Sequence, residues 1–267
     1  MGKKVCLLIV DPQVDFCDPA GSLPVKGADK DMERQAAMIH RAKDDIDEIC
    51  CTMDQHRAIH IAHPIFWCDK NGKHPNPFTL IEVPDVTGSD PKWRSTNLAY
   101  KERAIEYVQK LKANGRYVLC IWPPHCLIAS VGATVHPVLF KAFQEWEQRF
   151  AVVNYVTKGS NPFTEHYSAA QADVFDPEDP STGLNTEFIK LLQTMDVIAI
   201  GGEASSHCVA STIKDVADNF GEDNVKKFVY LKDACSPVTG FEDKEKAFLD
   251  EMTRRGMKVS TTDKFLR

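Results

Sequence analysis

The chain has 267 residues, 43% of them hydrophobic and 26% charged, with a formal net charge of −6. That balance excludes a disordered chain, and with no basic run or aromatic-interleaved basic patch, nucleic acid is excluded as an expected partner. The apolar run 5–10 is too short for a signal-peptide core or a membrane span, and no other segment does better. Nine scattered cysteines without a CxxC pair argue against a disulfide framework or a zinc ribbon, so a reducing, cytoplasmic setting is the expectation.

In chain order, strand-like runs fall at 5–10, 49–53, 117–122, 151–156, 197–200 and 228–231. They are rich in β-branched or other large apolar residues, only weakly alternating, and bounded by turn residues, as strands covered on both faces should be. Between them lie amphipathic helical patterns near 30–48, 97–113, 137–149, 185–194, 205–219 and 242–255. Ile105, Val108 and Leu111 illustrate their three- and four-residue spacing. This alternation predicts an α/β fold: a doubly wound, six-stranded, mostly parallel sheet with helices on both faces. One domain over 1–267 is expected. The Pro-, Asp- and Gly-rich stretches at about 64–96 and 171–184 read as surface excursions, because strand–helix alternation resumes after each.

Open parallel sheets bind ligands beyond the carboxyl ends of their strands. Those positions are chemically dense here. Asp11 follows the first run, and Asp54, His56 and His60 follow the second. His125 follows the third in WPPH, Lys158 follows the fourth in YVTKGSN, and Cys208 ends the GGEASSHC segment after the fifth. Singly, each has an ordinary reading as a turn residue, a surface charge or a small buried hydrophobe. Together they bring thiol, ammonium, carboxylate and imidazole to one rim.

Cys208 in the first turn of a helix feels the positive end of the dipole, and an adjacent ammonium such as Lys158 adds to it, so thiolate is expected. Asp11 could accept the thiol proton and later return it to a leaving amine. The amides of Ala204 and Cys208 are placed to bind an oxyanion. His207 is not expected to pair with Cys208, because helix neighbours point about 100° apart. Asp54, His56 and His125 offer one carboxylate and two imidazoles, a set suited to a catalytic divalent metal, with His60 as a fourth ligand or an outer partner. His40, His63, His74, His136 and His166 have no comparable placement.

The segments LLIVDPQVDFCDPAGSLPVKGA, TMDQHRAIHIA, IWPPHCLIASVGATVHPVL, VTKGSN with HYSA, and GGEASSHCVAST resemble the nicotinamidases, within the isochorismatase-like cysteine hydrolases. The resemblance spans residues 5–215. It implies a triad of Asp11, Lys158 and Cys208, and a divalent metal on Asp54, His56 and His125 (zinc, with iron and manganese as alternatives). It also implies a cis Glu203–Ala204 peptide forming the oxyanion hole, and Phe16 and Trp122 flanking an aromatic ring. The implied reaction is hydrolysis of nicotinamide to nicotinate and ammonia through a thioester, a step in NAD salvage. The expected partner is a small-molecule amide, with no membrane or nucleic-acid role, in a homo-oligomer. The chain departs from the pattern at Ala204-Ser205-Ser206, at Glu203 where the family is apolar, and in the long interval holding His74 and Glu82. These departures bear on the substrate, so a relative acting on a carbamoyl or maleamate-like amide is the alternative, followed by a non-catalytic scaffold.

Overall fold

A computed structural model of the protein describes residues 2–267. Its strands are β1 (Val5–Val10), β2 (Glu48–Asp54), β3 (Trp67–Cys68), β4 (Leu80–Ile81), β5 (Arg94–Ser95), β6 (Leu119–Cys120), β7 (Asn154–Lys158), β8 (Val197–Gly202), β9 (Phe228–Leu231) and β10 (Lys258–Ser260). The helices are α1 (Val14–Cys17), α2 (Ala28–Ala42), α3 (Val83–Val86), α4 (Lys101–Ala113), α5 (Pro137–Glu147), α6 (Thr186–Gln193), α7 (Cys208–Phe220) and α8 (Glu242–Arg254).

Six strands form one parallel sheet in the order β10-β9-β8-β1-β2-β7. Every residue of β1 is buried, and Leu7, Leu8 and Ile9 are fully enclosed. Burying side chains of this size stabilises the fold by about 1.5–3 kcal/mol each. From β1 the chain steps to β2 and β7, then crosses back to β8, β9 and β10 on the other side of β1. Right-handed crossovers running in opposite directions place their helices on opposite faces. In agreement, α2 packs with α5, while α6 packs with α7 and α7 with α8. The order reverses between β1 and β8, and it is there that an open α/β sheet leaves a crevice. Asp11 ends one of those strands, and the segment leading to Cys208 follows the other.

The expected six strands are present with one substitution. The run 117–122 does not join the main sheet: only Leu119–Cys120 is strand, paired antiparallel with β4. Pro123 and Pro124 follow directly and carry no N–H to extend a ladder. The sixth place is filled by β10, whose polar Lys258 and Ser260 gave no apolar run to read. The stretch 64–96 is more than a loop. It carries β3, β4, β5 and α3, and it buries Phe66, Trp67, Ile81 and Val86 against the core.

Candidate active site

Two glycines let the strand ends converge. Gly202 has φ +107°, and a Cβ there would strike the backbone of Val10, so β8 and β1 can close up only with glycine. Gly159, at φ +81°, leaves room for the Asp54 carboxylate and the His56 ring, which a side chain would displace. The β2–β7 register sets Asp54 directly beside Lys158.

The result is a buried charge cluster. Lys158 Nζ lies 2.8 Å from Asp11 Oδ2, 3.2 Å from Asp54 Oδ1 and 3.7 Å from Cys208 Sγ. Thr52 Oγ1 donates to Asp11 Oδ1 at 2.5 Å, and the Gln13 side chain exchanges two hydrogen bonds with the Asp54 backbone. Burial pulls the Lys158 ammonium down, but Asp11 and Asp54 outweigh it and hold it well above its usual range. Asp11 is raised, because burial, joined by repulsion from Asp54, exceeds the pull of Lys158. The Cys208 thiol is pushed well above its ordinary value by burial, which with Asp11 and Asp54 overrides Lys158. Two carboxylates and complete enclosure thus work against the thiolate that one ammonium and a helix terminus favour.

Asp54, His56 and His125 come together as a possible metal-binding group. His56 Nδ1 must donate to the Gly159 carbonyl, at 3.1 Å, because a carbonyl can only accept. Its Nε2 then faces Asp54 Oδ2 at 2.9 Å without a hydrogen bond. His125 Nδ1 similarly donates to the Pro123 carbonyl at 2.8 Å and turns Nε2 toward the same Asp54 oxygen at 3.6 Å. Each imidazole is fixed by its far nitrogen, the outer-partner arrangement found in metal sites. Burial disfavours a charged His56, yet Asp54 offsets it and the imidazole is raised, so the gap attracts positive charge. These residues fit a divalent cation.

His60 is spent locally: Nδ1 accepts from the Ala62 N–H and Nε2 donates to the Thr164 carbonyl, both at 3.2 Å. It stacks 4.3 Å from His56 as an outer neighbour. Sequence reasoning missed two residues here. Glu165 stands 4.0 Å from His56 Nε2, with its Oε2 buried and unpartnered, and forms a second possible metal-binding group with His56 and His60. The His63 ring lies 5.4 Å from His56 and 5.7 Å from His125. Glu165 sits in an irregular stretch, and its one signal was adjacency to the His166-Tyr167 pair. His74 donates to the Trp67 carbonyl and Glu82 caps α3, so neither reaches the cluster.

Above Cys208 is a small closed chamber bounded by Phe16, Leu23, Val25, Trp122, Tyr167 and Val238, with Asp54, His125 and Glu165 at its polar end. Trp122 Nε1 donates to Tyr167 Oη at 2.7 Å, fixing both rings. A larger cleft of about 610 Å³ lies beyond Tyr167 and His207, outside the thiol's reach. His207 Nδ1 is 2.8 Å from Ser206 Oγ and the ring packs on Trp122, so it makes no dyad with Cys208. Neither the Ala204 nor the Cys208 amide has a backbone acceptor among the described residues, and the Glu203–Ala204 peptide is cis.

The sheet order and the placement of the cluster at its switch point define an isochorismatase-like α/β fold. Solved structures of that fold match over nearly the whole chain. The yeast nicotinamidase Pnc1p bound to the inhibitor nicotinaldehyde aligns with a TM-score of 0.67 at 19% identity, over 96% of this chain and 99% of that one. A nicotinamidase/pyrazinamidase of Acinetobacter baumanii gives 0.65 at 19% identity, with both chains covered in full. The pyrazinamidase of Pyrococcus horikoshii in complex with zinc gives 0.55 at 20% identity, over 97% and 99%. No protein-family profile matches the chain, and no curated protein matches it in sequence.

Proposed function

We propose that the protein is a cysteine amidohydrolase that converts nicotinamide, or a close heteroaromatic amide, to the acid and ammonia. One observation carries the reading. A buried ammonium, Lys158, sits between a carboxylate and a thiol at the floor of an aromatic-walled chamber. The likeness to nicotinamidases, one of them holding nicotinaldehyde and another nicotinate, supports the substrate.

In this reading the amide carbonyl lies over Cys208, with the ring between Phe16 and Trp122. The Asp11 carboxyl and the thiol meet at the same ammonium, Lys158. Asp11 takes the thiol proton as Sγ bonds to the carbonyl carbon, and its raised basicity suits it to accept at that moment. The oxygen that gains the electron pair is held by the Ala204 and Cys208 amides. Collapse breaks the carbon–nitrogen bond, Asp11 returns its proton to the nitrogen, and ammonia leaves a thioester. Water then adds to the thioester as Asp11 takes a proton from it, and the thiol recovers that proton as it departs. Lys158 keeps its charge throughout and holds Asp11 in place. A divalent ion on Asp54, His56 and His125, zinc by analogy with the Pyrococcus structure, would supply a Lewis-acid charge at the polar end of the chamber. A cytoplasmic role in NAD salvage, as a homo-oligomer, belongs to the same reading.

Ammonia release from nicotinamide, measured for wild type and Cys208→Ala with metal content recorded, tests it. Release that vanishes in the variant supports the proposal. No release by metal-loaded wild type rules out nicotinamide and favours a carbamoyl or maleamate-like amide.

A further inference from the structure

Behind the Cys208 turn lies a second cluster that the mechanism does not use. Glu203, immediately before Ala204, is completely buried. Its main chain is tied to the end of β1 by a hydrogen bond from its N–H to the Val10 carbonyl at 2.7 Å. Its side chain bends away from the chamber, where Oε2 accepts the Ser236 N–H at 3.0 Å. The Ser236 carbonyl in turn accepts the Ser205 N–H at 2.9 Å, and the Ala234 carbonyl accepts the Gly202 N–H at 2.9 Å. The segment 233–236 is thus laced along both sides of the residue that offers the Ala204 amide.

The far side of this lacing is α2. Ser236 Oγ donates to Asp31 Oδ2 at 2.6 Å, Arg34 pairs with Asp31 Oδ1 at 2.5 Å, and Arg34 Nε donates to the Asp233 carbonyl at 2.5 Å. Glu203 Oε2 and Asp31 Oδ2 therefore both accept from Ser236, which brings the two carboxyl groups to one buried residue. Two carboxyl groups brought together in a dry interior with no cation between them are stable side by side only when one keeps its proton. Glu203 Oε1 is buried and finds no donor elsewhere among the described residues. Asp31 already accepts from Arg34 and Ser236, so it takes the acceptor role and Glu203 the donor role.

The charged and titratable groups around Glu203 agree. Asp31 and Arg34 face it from α2, Cys17 from α1, Cys235 from the segment after β9, and Glu245 from α8, where Glu245 is tied to Tyr230 of β9. Arg34 is the one cation of the set, and it is spent on Asp31 and the Asp233 carbonyl. Burial first, and then Asp31, push the Glu203 carboxyl well above the usual range.

We propose that Glu203 is a positioning residue for the Cys208 turn: a neutral acid that shares its proton with Asp31 and clamps segment 233–236 behind the Ala204 amide. Losing that proton sets two like charges side by side in a dry interior, which drives the segment away and misplaces the amide. The role deepens the amidase reading and rests on it for its effect on rate, while the shared proton rests on the Ser236 contacts to both carboxyl groups and on the unpartnered Glu203 Oε1.

Three measurements on the intact protein test this. The infrared difference spectrum between wild type and Glu203→Gln at neutral pH should show the band of one protonated carboxylic acid, distinct from any that Asp173, raised to about 7 by burial, contributes equally to both proteins. Ammonia release should lose kcat on the alkaline side in wild type. Glu203→Gln, whose amide still donates but cannot ionise, should hold kcat to higher pH. Glu203→Ala should lower kcat roughly tenfold with KM little changed, since ring binding does not involve the clamp. A difference spectrum without the band, or an alkaline limb identical in wild type and Glu203→Gln, overturns the proposal. If Glu203→Ala does not fold, the Gln variant and the spectrum still decide. If wild type releases no ammonia from nicotinamide, the amidase reading fails while the band still decides the shared proton.

Discussion

Two pairs of buried carboxyl groups flank the Cys208 turn, and they are handled in opposite ways. Asp11 and Asp54 have an ammonium between them, with Lys158 Nζ at 2.8 and 3.2 Å. Glu203 and Asp31 have no shared cation, because Arg34 reaches only Asp31. In the proposed reaction the first pair needs a mobile proton on demand, and a permanent positive charge keeps a carboxylate ready beside the thiol. The second pair needs a fixed shape, and a proton held between two oxygens provides it. The difference shows how one interior can hold four acidic groups around a single thiol-bearing turn.

Removing the cation from the first pair should have the largest effect. Lys158→Met strands Asp11 and Asp54 without a partner, and should destabilise the fold by about 3–5 kcal/mol. Ammonia release should fall by at least roughly a thousandfold. Urea denaturation and a turnover assay check this, and an unchanged midpoint would mean the two carboxyl groups are not both charged in the native state. Next, Asp54→Asn should lower bound metal from about one ion per chain to a small fraction while leaving the fold intact, as read by metal analysis of the purified protein. Full retention of metal would shift the site toward His56, His60 and Glu165.

The smallest effect is the most diagnostic of the second pair. Glu203 is raised in the fold, against about 4.3 when unfolded. Between those two values the native state holds a proton that the unfolded chain lacks, so stability must fall as pH rises. The slope contributed by this one group is at most about 1.4 kcal/mol per pH unit. Melting temperatures of wild type and Glu203→Gln, followed from pH 5 to 8, should diverge steadily, with the variant gaining on wild type as pH rises. Parallel curves would place the proton elsewhere.

Much of this site was legible before any coordinates. Asp11 and Lys158 stand just past apolar runs, and Cys208 opens the helix after the fifth, a linear signal that survives without knowing which strands pair. Asp54 ends β2 and His56 sits just past it, for the same reason. What was lost is what depends on three dimensions. The run 117–122 has the composition of a buried strand, but the prolines after it and the ribbon with β4 take it out of the main sheet. Glu165 and His63 reach the cluster from irregular chain, where spacing carries no orientation. The setting of the Cys208 thiol depends also on enclosure and on carboxyl groups distant in sequence, which local dipole reasoning does not see. Glu203 was visible only as an acid where an apolar residue was expected. Asp31, 172 positions earlier in the chain, gives it meaning.

One consequence concerns β7, which is hydrogen-bonded on one side only, to β2. An outermost strand ordinarily frays, and its amides exchange with solvent hydrogen through small local openings. Here the last residue of that strand is Lys158, whose withdrawal would leave two enclosed carboxylates facing each other. The charge cluster therefore acts as a latch on the margin of the sheet. Amides in the ladder around Thr157 and Lys158 should exchange nearly as slowly as those of β1, while the start of β7 at Asn154 opens freely.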